Sequence, residues 1–302
     1  MIHDCIIVGG GIAGLQAAIQ LGRYSEHKVL VIDSGEGRSN LCRSYHNILG
    51  FPDGISGEEL RKRGVQHAKA YGISFIHDRI SRAHKKEGVF TLTGDSGAMY
   101  ESRTLLLATG LTDRHPELPG LKNTLGISVY VCPDCDGYEI KNKKTIIMGS
   151  GTAGANMARI LSSRTPEMVY INHEQTEVPS EILQKLKDKK IEYINEPIEK
   201  VQEQEDGMIS AVILNSGRVV EAERGFIAFG NNPVHSELAE QLGAEIADNK
   251  HVVADARSRM TSVENLWIAG DLGIHSEQAA VAMGDGVLSG IWINKALHKM
   301  KK

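Results

Sequence analysis

Four cysteines in 302 residues are too few to staple a secreted domain. Cytosolic disulfides are usually catalytic or redox-sensing, so a working pair among them points to chemistry rather than scaffolding. An excess of basic charge is also missing, since Lys and Arg total 34 against 38 Asp and Glu, for a net charge of −4. The basic residues are scattered, which leaves no field for a polyanion, and no nucleic-acid partner is expected. No apolar run reaches the roughly 18 residues that a membrane helix needs, so no membrane segment is expected either. The start, Met1-Ile2-His3-Asp4, runs straight into a strand without a basic, apolar and cleavage-site leader. Together these absences predict a cytoplasmic protein. Low-complexity stretches and long charged tails are lacking as well, and the length suffices for two domains of ordinary size.

What is present is one module used twice. Residues 4–8 are a short β-branched strand, Gly9-Gly10-Gly11-Ile12-Ala13-Gly14 is a tight turn, and Ala, Leu and Ile spacing predicts a helix over 12–23. A second buried strand over 28–32 leads to Asp33. Polar/apolar alternation over 89–93 and 99–104 predicts a hairpin, which precedes Leu105-Leu106-Leu107-Ala108-Thr109-Gly110. The same order recurs in a strand over 145–148, the turn Gly149-Ser150-Gly151-Thr152-Ala153-Gly154, a helix to about 162 and a strand over 168–172. A hairpin-like stretch over 201–219 and the run Phe226-Ile227-Ala228-Phe229-Gly230 close the second copy. A trailing strand and turn over 266–271 and a helix over 277–297 can complete the first module's sheet. The expected fold class is α/β, with two Rossmann-like, three-layer dinucleotide-binding domains. The first is discontinuous, 1–112 and 236–302, and encloses the second, 113–235. Proline-bearing stretches at 112–119 and 231–235 are the expected hinges.

Both glycine turns follow a strand and open a helix, the context in which the fingerprint carries meaning. The first glycine permits the turn, the second lets backbone approach a pyrophosphate, the third allows close helix packing, and the helix amino terminus faces the phosphates. In the first copy these are Gly9, Gly11 and Gly14, with Asp33 placed for ribose hydroxyls. In the second they are Gly149, Gly151 and Gly154, with Thr152 and Ala153 between. The second strand is followed by Asn172-His173-Glu174-Gln175-Thr176-Glu177, and no arginine is expected nearby to grip a ribose 2′-phosphate. Glu174 and Glu177 would repel a 2′-phosphate, so NADPH is disfavoured there, leaving NADH, another nucleotide or an empty site. Between the copies lies Cys132-Pro133-Asp134-Cys135-Asp136-Gly137-Tyr138. Cysteines three apart can close a small disulfide, and a thiolate there is commonly acidified. A zinc site would need two more ligands that no second Cys-x-x-Cys supplies, so no metal is expected. Cys5, inside the first strand, reads as core, and 185–190 reads as a solvated helix end.

Taken together, these motifs resemble the low-molecular-weight thioredoxin reductases among the FAD-dependent pyridine nucleotide-disulfide oxidoreductases. The likeness runs in order through 9–14, Ile48-Leu49-Gly50-Phe51-Pro52-Asp53-Gly54-Ile55-Ser56-Gly57, 107–110, 132–137, 149–154, Gly270-Asp271 and Gln278-Ala279. The resemblance implies FAD in the first domain, contacted by Gly9, Gly11, Ile12, Ala13, Gly14, Asp33, Asn47, Gly110 and Asp271. Gln278 and Ala279 would face the flavin pyrimidine edge, where the helix dipole favours negative charge. It further implies that Cys135 faces the flavin, Cys132 attacks the substrate disulfide, and Asp136 moves the thiol proton, while one domain rotates against the other. A thioredoxin-like protein, or a small disulfide or dithiol, is the implied partner, and a homodimer the implied assembly. Cys42 is expected to be a bystander and His275 a solvent-facing loop residue.

This chain also departs from the pattern. His173-Glu174-Gln175 stands where His-Arg-Arg is usual, Thr152-Ala153-Gly154 then Asn156-Met157 where Asp-Ser-Ala and paired glutamates are usual, and Glu277 where an arginine precedes Gln-Ala. Tyr138-Glu139 resembles branches acting on small dithiols and branches that do not use NADPH. Three functions follow as alternatives: a disulfide reductase fed by a nicotinamide; an NAD(P)H-independent enzyme, either a dithiol oxidase or a reductase with another donor such as a second flavin or ferredoxin; and a non-enzymatic redox sensor. The intact set Cys132, Cys135 and Asp136 argues against the last.

Overall fold

Strand β1 (Ile2–Val8) sends its side chains alternately into two apolar layers. Cys5 and Ile7 pack with helices α1 (Ile12–Gly22) and α8 (Ala279–Met300), while Ile6 and Val8 face the opposite side. A parallel sheet buried on both faces requires such unbroken apolar strands. The computed structural model describes residues 1–301 and separates into two units.

The first unit comprises Met1–Asn40, Ser56–Thr112 and the chain from Pro233 onward. Around β1 and α1 it holds β2 (Val29–Asp33), α2 (Gly57–Ala70), β3 (Ser74–His77), β4 (Ile80–Lys86), β5 (Val89–Gly94) and β6 (Met99–Leu107). Its seven-stranded sheet runs β3-β2-β1-β6-β5-β4, and β15 (Leu266–Ile268) adds to β6 in parallel. Ser56 caps helix α2, its hydroxyl accepting from Glu59 N–H. β15 carries Trp267, 2% exposed, into the layer beneath α8. The trailing strand and helix therefore do complete the first module's sheet.

The second unit comprises Leu41–Ile55 and Asp113–Asn232. It contains α3 (Leu121–Thr124), β7 (Val129–Tyr130), α4 (Pro133–Asp136), β8 (Thr145–Gly149), α5 (Gly151–Leu161), β9 (Met168–Asn172), α6 (Ser180–Asp188) and β10 (Glu192–Ile194). A meander of β11 (Ile198–Glu203), β12 (Ile209–Leu214) and β13 (Val219–Glu221) follows, then β14 (Arg224–Ala228). Its main sheet, β10-β9-β8-β14-β7, is wholly parallel, with α5 and α6 packed on one face and the antiparallel meander on the other. The expected hairpin over 201–219 is thus three strands, because Ser216-Gly217 turns the chain a second time.

Segment Leu41–Ile55 groups with the second unit, not with the sequence around it. Gly126 lies so close to the Leu41 carbonyl that a Cβ would sit 2.0 Å from it, and φ of +75° at Gly126 is itself a glycine conformation. The helix α7 (Glu237–Gln241) follows the return of the chain to the first unit. Among the described residues, no helix is long and apolar enough to cross a membrane.

Candidate active site

Cys132 and Cys135 are joined by a disulfide, with Cα atoms 5.3 Å apart. Local sequence makes this possible. Cys132 is the N-cap of α4, Pro133 occupies the first turn where no N–H is needed, and Cys135 N–H donates to Cys132 Sγ at 3.1 Å. Gly137 closes the turn beneath the Arg164 guanidinium, which donates to the Pro133 carbonyl at 2.8 Å, and a Cβ at Gly137 would collide with it. Burial pushes the Asp136 carboxyl up to about 7, with Glu139 adding to the effect. A carboxyl that exchanges its proton near neutrality, next to a cysteine pair, is suited to acid/base work on thiols.

The other two cysteines are poor nucleophiles. Cys5 is fully buried in β1, and burial raises its thiol to about 12. Burial first, and then the charge of Asp136, raise Cys42 to about 12 as well.

At the first glycine turn, Gly10 N–H donates to Asp33 at 2.9 Å. The other Asp33 oxygen accepts from Arg61 on α2 at 2.9 Å. A Cβ on Gly9 would strike the Ala108 carbonyl and one on Gly14 the Gly9 carbonyl, at 2.3 and 1.9 Å, whereas one on Gly11 would meet nothing within 4 Å. The backbone at Gly11 therefore borders open space at the amino end of α1, beside Ile12 and Ala13. Gly270 adopts φ of +75° against Ala13 and carries Asp271 to this end of the sheet. Asp271 and Glu277 both accept from Arg38, at 3.1 and 2.6 Å. Glu277 thus has its own cation. Gln278 is the N-cap of α8 and Ala279 its first residue. Gly110 stands at the end of the β6 run with φ of +62°, its carbonyl accepting from His235 N–H. Asn47 is exposed and lies in the segment that groups with the second unit.

His275 is not a solvent-facing loop residue. Its Nε2 lies 2.7 Å from buried Asp285 of α8, and that hydrogen bond raises its pKa. Asp285 also accepts from Gly270 N–H and pairs with Arg259, so it fixes the turn that carries Asp271.

The second turn repeats the design with altered chemistry. A Cβ on Gly149 would strike the Ala228 carbonyl at 2.4 Å, and one on Gly154 the Tyr170 ring at 2.3 Å. Gly151 N–H donates to the Asn172 side chain, as Gly10 does to Asp33. Thr152 and Ala153 are exposed in the first turn of α5, where N–H groups have no intrahelical acceptor. An arginine does stand at this corner: Arg114 donates to both carboxylate oxygens of Glu174, at 2.7 and 2.9 Å. The chain brings it from 60 residues away, which is why inspection of 172–177 misses it.

Arg38, Arg61, Arg114 and Asp285 were not found by motif reading. Only Asp285 left a signal, as an acid on the buried stripe Ala282, Gly286, Ser289 and Ile293 of α8.

An α/β frame with duplicated glycine turns and a Cys-x-x-Cys disulfide beside an acid defines a disulfide oxidoreductase of the dinucleotide-binding type. The model of the pyridine nucleotide-disulphide oxidoreductase family matches residues 3–286, and the chain belongs to that family. A thioredoxin reductase of Treponema pallidum (strain Nichols) is 30% identical over 298 residues, covering 95% of this chain and 94% of the relative. A glucosaminate ammonia-lyase of Pseudomonas fluorescens is 29% identical over 300 residues, with 95% and 93% covered. The crystal structure of thioredoxin reductase from Streptococcus pyogenes MGAS5005 shares the fold, with a TM-score of 0.88 at 22% identity over 99% of both chains. The chain is a thioredoxin reductase-like, FAD-dependent oxidoreductase, and the NAD(P)H-independent alternative is not favoured. The first glycine turn fits that cofactor, with steric room at Gly11 alone and an acid at the strand end.

Proposed function

We propose that the protein reduces the disulfide of a thioredoxin-like protein, or a small-molecule disulfide, through a Cys132/Cys135 dithiol. The observation that carries this reading is the disulfide between Cys132, the N-cap of α4, and Cys135 within it, with Asp136, near pH 7 in its proton exchange, next to it. FAD, when bound, supplies two electrons as a hydride carrier between a nicotinamide and the dithiol. Gly9, Gly11, Ile12, Ala13 and Gly14 would hold its pyrophosphate, Asp33 its ribose, and Asp271, Gly110, Asn47, Gln278 and Ala279 its flavin half.

The thiol chemistry belongs to the chain. Cys132 thiolate attacks one sulfur of the acceptor disulfide, forming a mixed disulfide and expelling the acceptor's other thiolate, which takes the proton of Asp136. Cys135 thiolate then attacks Cys132 Sγ, restoring the Cys132–Cys135 disulfide and releasing the acceptor's second thiolate. Two sulfur atoms of the acceptor are reduced and two of the enzyme are oxidised. The second fold takes the nicotinamide nucleotide at Gly149, Gly151, Thr152, Ala153 and Gly154, and NADH rather than NADPH, because an acid holds its ribose corner. We place the enzyme in the cytoplasm as a homodimer, in keeping with a reducing compartment and a working disulfide.

Anaerobic stopped-flow absorbance of the purified flavoprotein tests this. NADH should bleach the oxidised flavin faster than NADPH does, and the reduced enzyme should then reduce a thioredoxin. Bleaching by a dithiol but by neither nicotinamide would overturn the donor assignment. Full turnover by Cys132→Ser would remove the dithiol mechanism.

A further inference from the structure

Arg114 spans the carboxyl ends of two strands that flank β8. Its Nε donates to the Gly230 carbonyl at 3.0 Å and Nη2 to the Phe229 carbonyl at 2.7 Å, just past β14. On the other side its two Nη groups grip Glu174, two residues past the end of β9. In open α/β sheets the dinucleotide lies in the crevice at these strand ends, with the adenosine ribose at the second strand of the module.

The strand-end residue itself cannot serve the ribose. Asn172 is fully buried, and its Oδ1 accepts from Gly151 N–H at 2.8 Å and from the Tyr170 hydroxyl at 3.3 Å. Its Nδ2 faces the Thr176 carbonyl, the Tyr193 hydroxyl and Asn195 Oδ1 within 3.1 Å. In the first module Asp33 has a carboxylate at this place; here the amide is spent inside the fold. The partly exposed carboxylate at the corner is Glu174. Arg114 first, and a hydrogen bond from Ser150 of the glycine turn after it, hold Glu174 ionised, down to about 2. A bidentate guanidinium still leaves each carboxylate oxygen a lone pair for a hydroxyl.

We propose that Arg114 and Glu174 together set the specificity of the second nucleotide site: Glu174 accepts from a free ribose 2′-hydroxyl and masks Arg114, the cation that would otherwise hold a 2′-phosphate. This rests on the reading that the second fold takes a nucleotide. It assigns a role to Arg114 that the glycine motif does not contain, and it makes NADPH exclusion a property of the pair.

The test is calorimetric titration of the FAD-loaded enzyme with ADP and with 2′,5′-ADP, which differ in where the second phosphate sits and need no turnover. Wild type should bind ADP and discriminate against 2′,5′-ADP by about tenfold or more, the scale of one charge-assisted contact. Glu174→Gln should gain affinity for 2′,5′-ADP by about the same factor, and Glu174→Gln with Arg114→Gln should lose that gain. Glu174→Ser serves as a second unmasking variant should the glutamine re-form the contact. ADP binding with an unchanged ratio in both unmasked variants would overturn the specificity role and spare the nucleotide reading. Binding of neither ligand to any variant would overturn both.

Discussion

Arg38 and Glu277 meet at 2.6 Å across 239 residues of sequence. The same guanidinium holds Asp271 at 3.1 Å, so one cation ties the turn after β15 to the residue before the α8 N-cap. The basic group at this corner comes from the turn after β2. Arg38→Ala should lower FAD retention by about tenfold, read as fluorescence recovery on dilution, since two carboxylates then face each other without a cation. Glu277→Arg should act in the same direction by opposing Arg38. Unchanged flavin affinity in both variants would remove the positioning role.

Asp136 makes turnover and stability depend on pH in opposite ways from an ordinary surface acid. Its carboxyl exchanges near 7 in the fold against 3.8 ordinarily. The unfolded chain therefore ionises first, so stability declines as pH rises from about 4 to about 7 and stays lower above. Asp136→Asn should flatten that decline in thermal melts. It should also remove the inflection near pH 7 in the dithiol–disulfide step and slow it by about 10²–10⁴.

Thiol labelling should divide the cysteines into two classes. In the reduced protein, iodoacetamide at pH 8 should modify Cys132 readily, while Cys5 and Cys42, both raised to about 12, remain protonated and slow. Peptide mapping that finds Cys42 labelled as fast as Cys132 would contradict its raised thiol.

Gly14 and Gly154 should tolerate no side chain. Gly14→Ala pushes a methyl to 1.9 Å from the Gly9 carbonyl, a backbone atom that cannot swing away. The expected cost is about 1–3 kcal/mol or more in urea melts, together with flavin loss. Gly154→Ala meets the Tyr170 ring and should destabilise the second unit while sparing the flavin absorbance.

Asp285→Asn should cost about 3–5 kcal/mol, because Arg259 is left buried without its counterion. His275 loses its anionic partner in the same variant, so its titration, followed by NMR, should move back down from its raised position.

Much of this was legible along the chain because it is encoded locally. Strand β1, the Gly9–Gly14 turn and α1 follow from a β-branched run, glycines at set spacing and an Ala/Leu helix, each satisfied by near neighbours. Cys132, Pro133, Cys135 and Asp136 likewise lie within one turn, so their chemistry could be read before their positions. Strand β4 and the third strand of the second-unit meander were not legible, since edge strands acquire their conformation from the partners they pair with. The site's charge balance was not legible either. Arg38, Arg61 and Arg114 reach Glu277, Asp33 and Glu174 over 239, 28 and 60 residues, and no pattern in a local window marks such a pair. Sequence by itself determined where this protein makes its two glycine turns and where it keeps its cysteine pair, because those depend on turn geometry and spacing. Only the tertiary structure decided which carboxylates stand ionised beside a cation and which, like Asp136, hold a proton to pH 7, because ionisation answers to burial and to charges brought together by the fold.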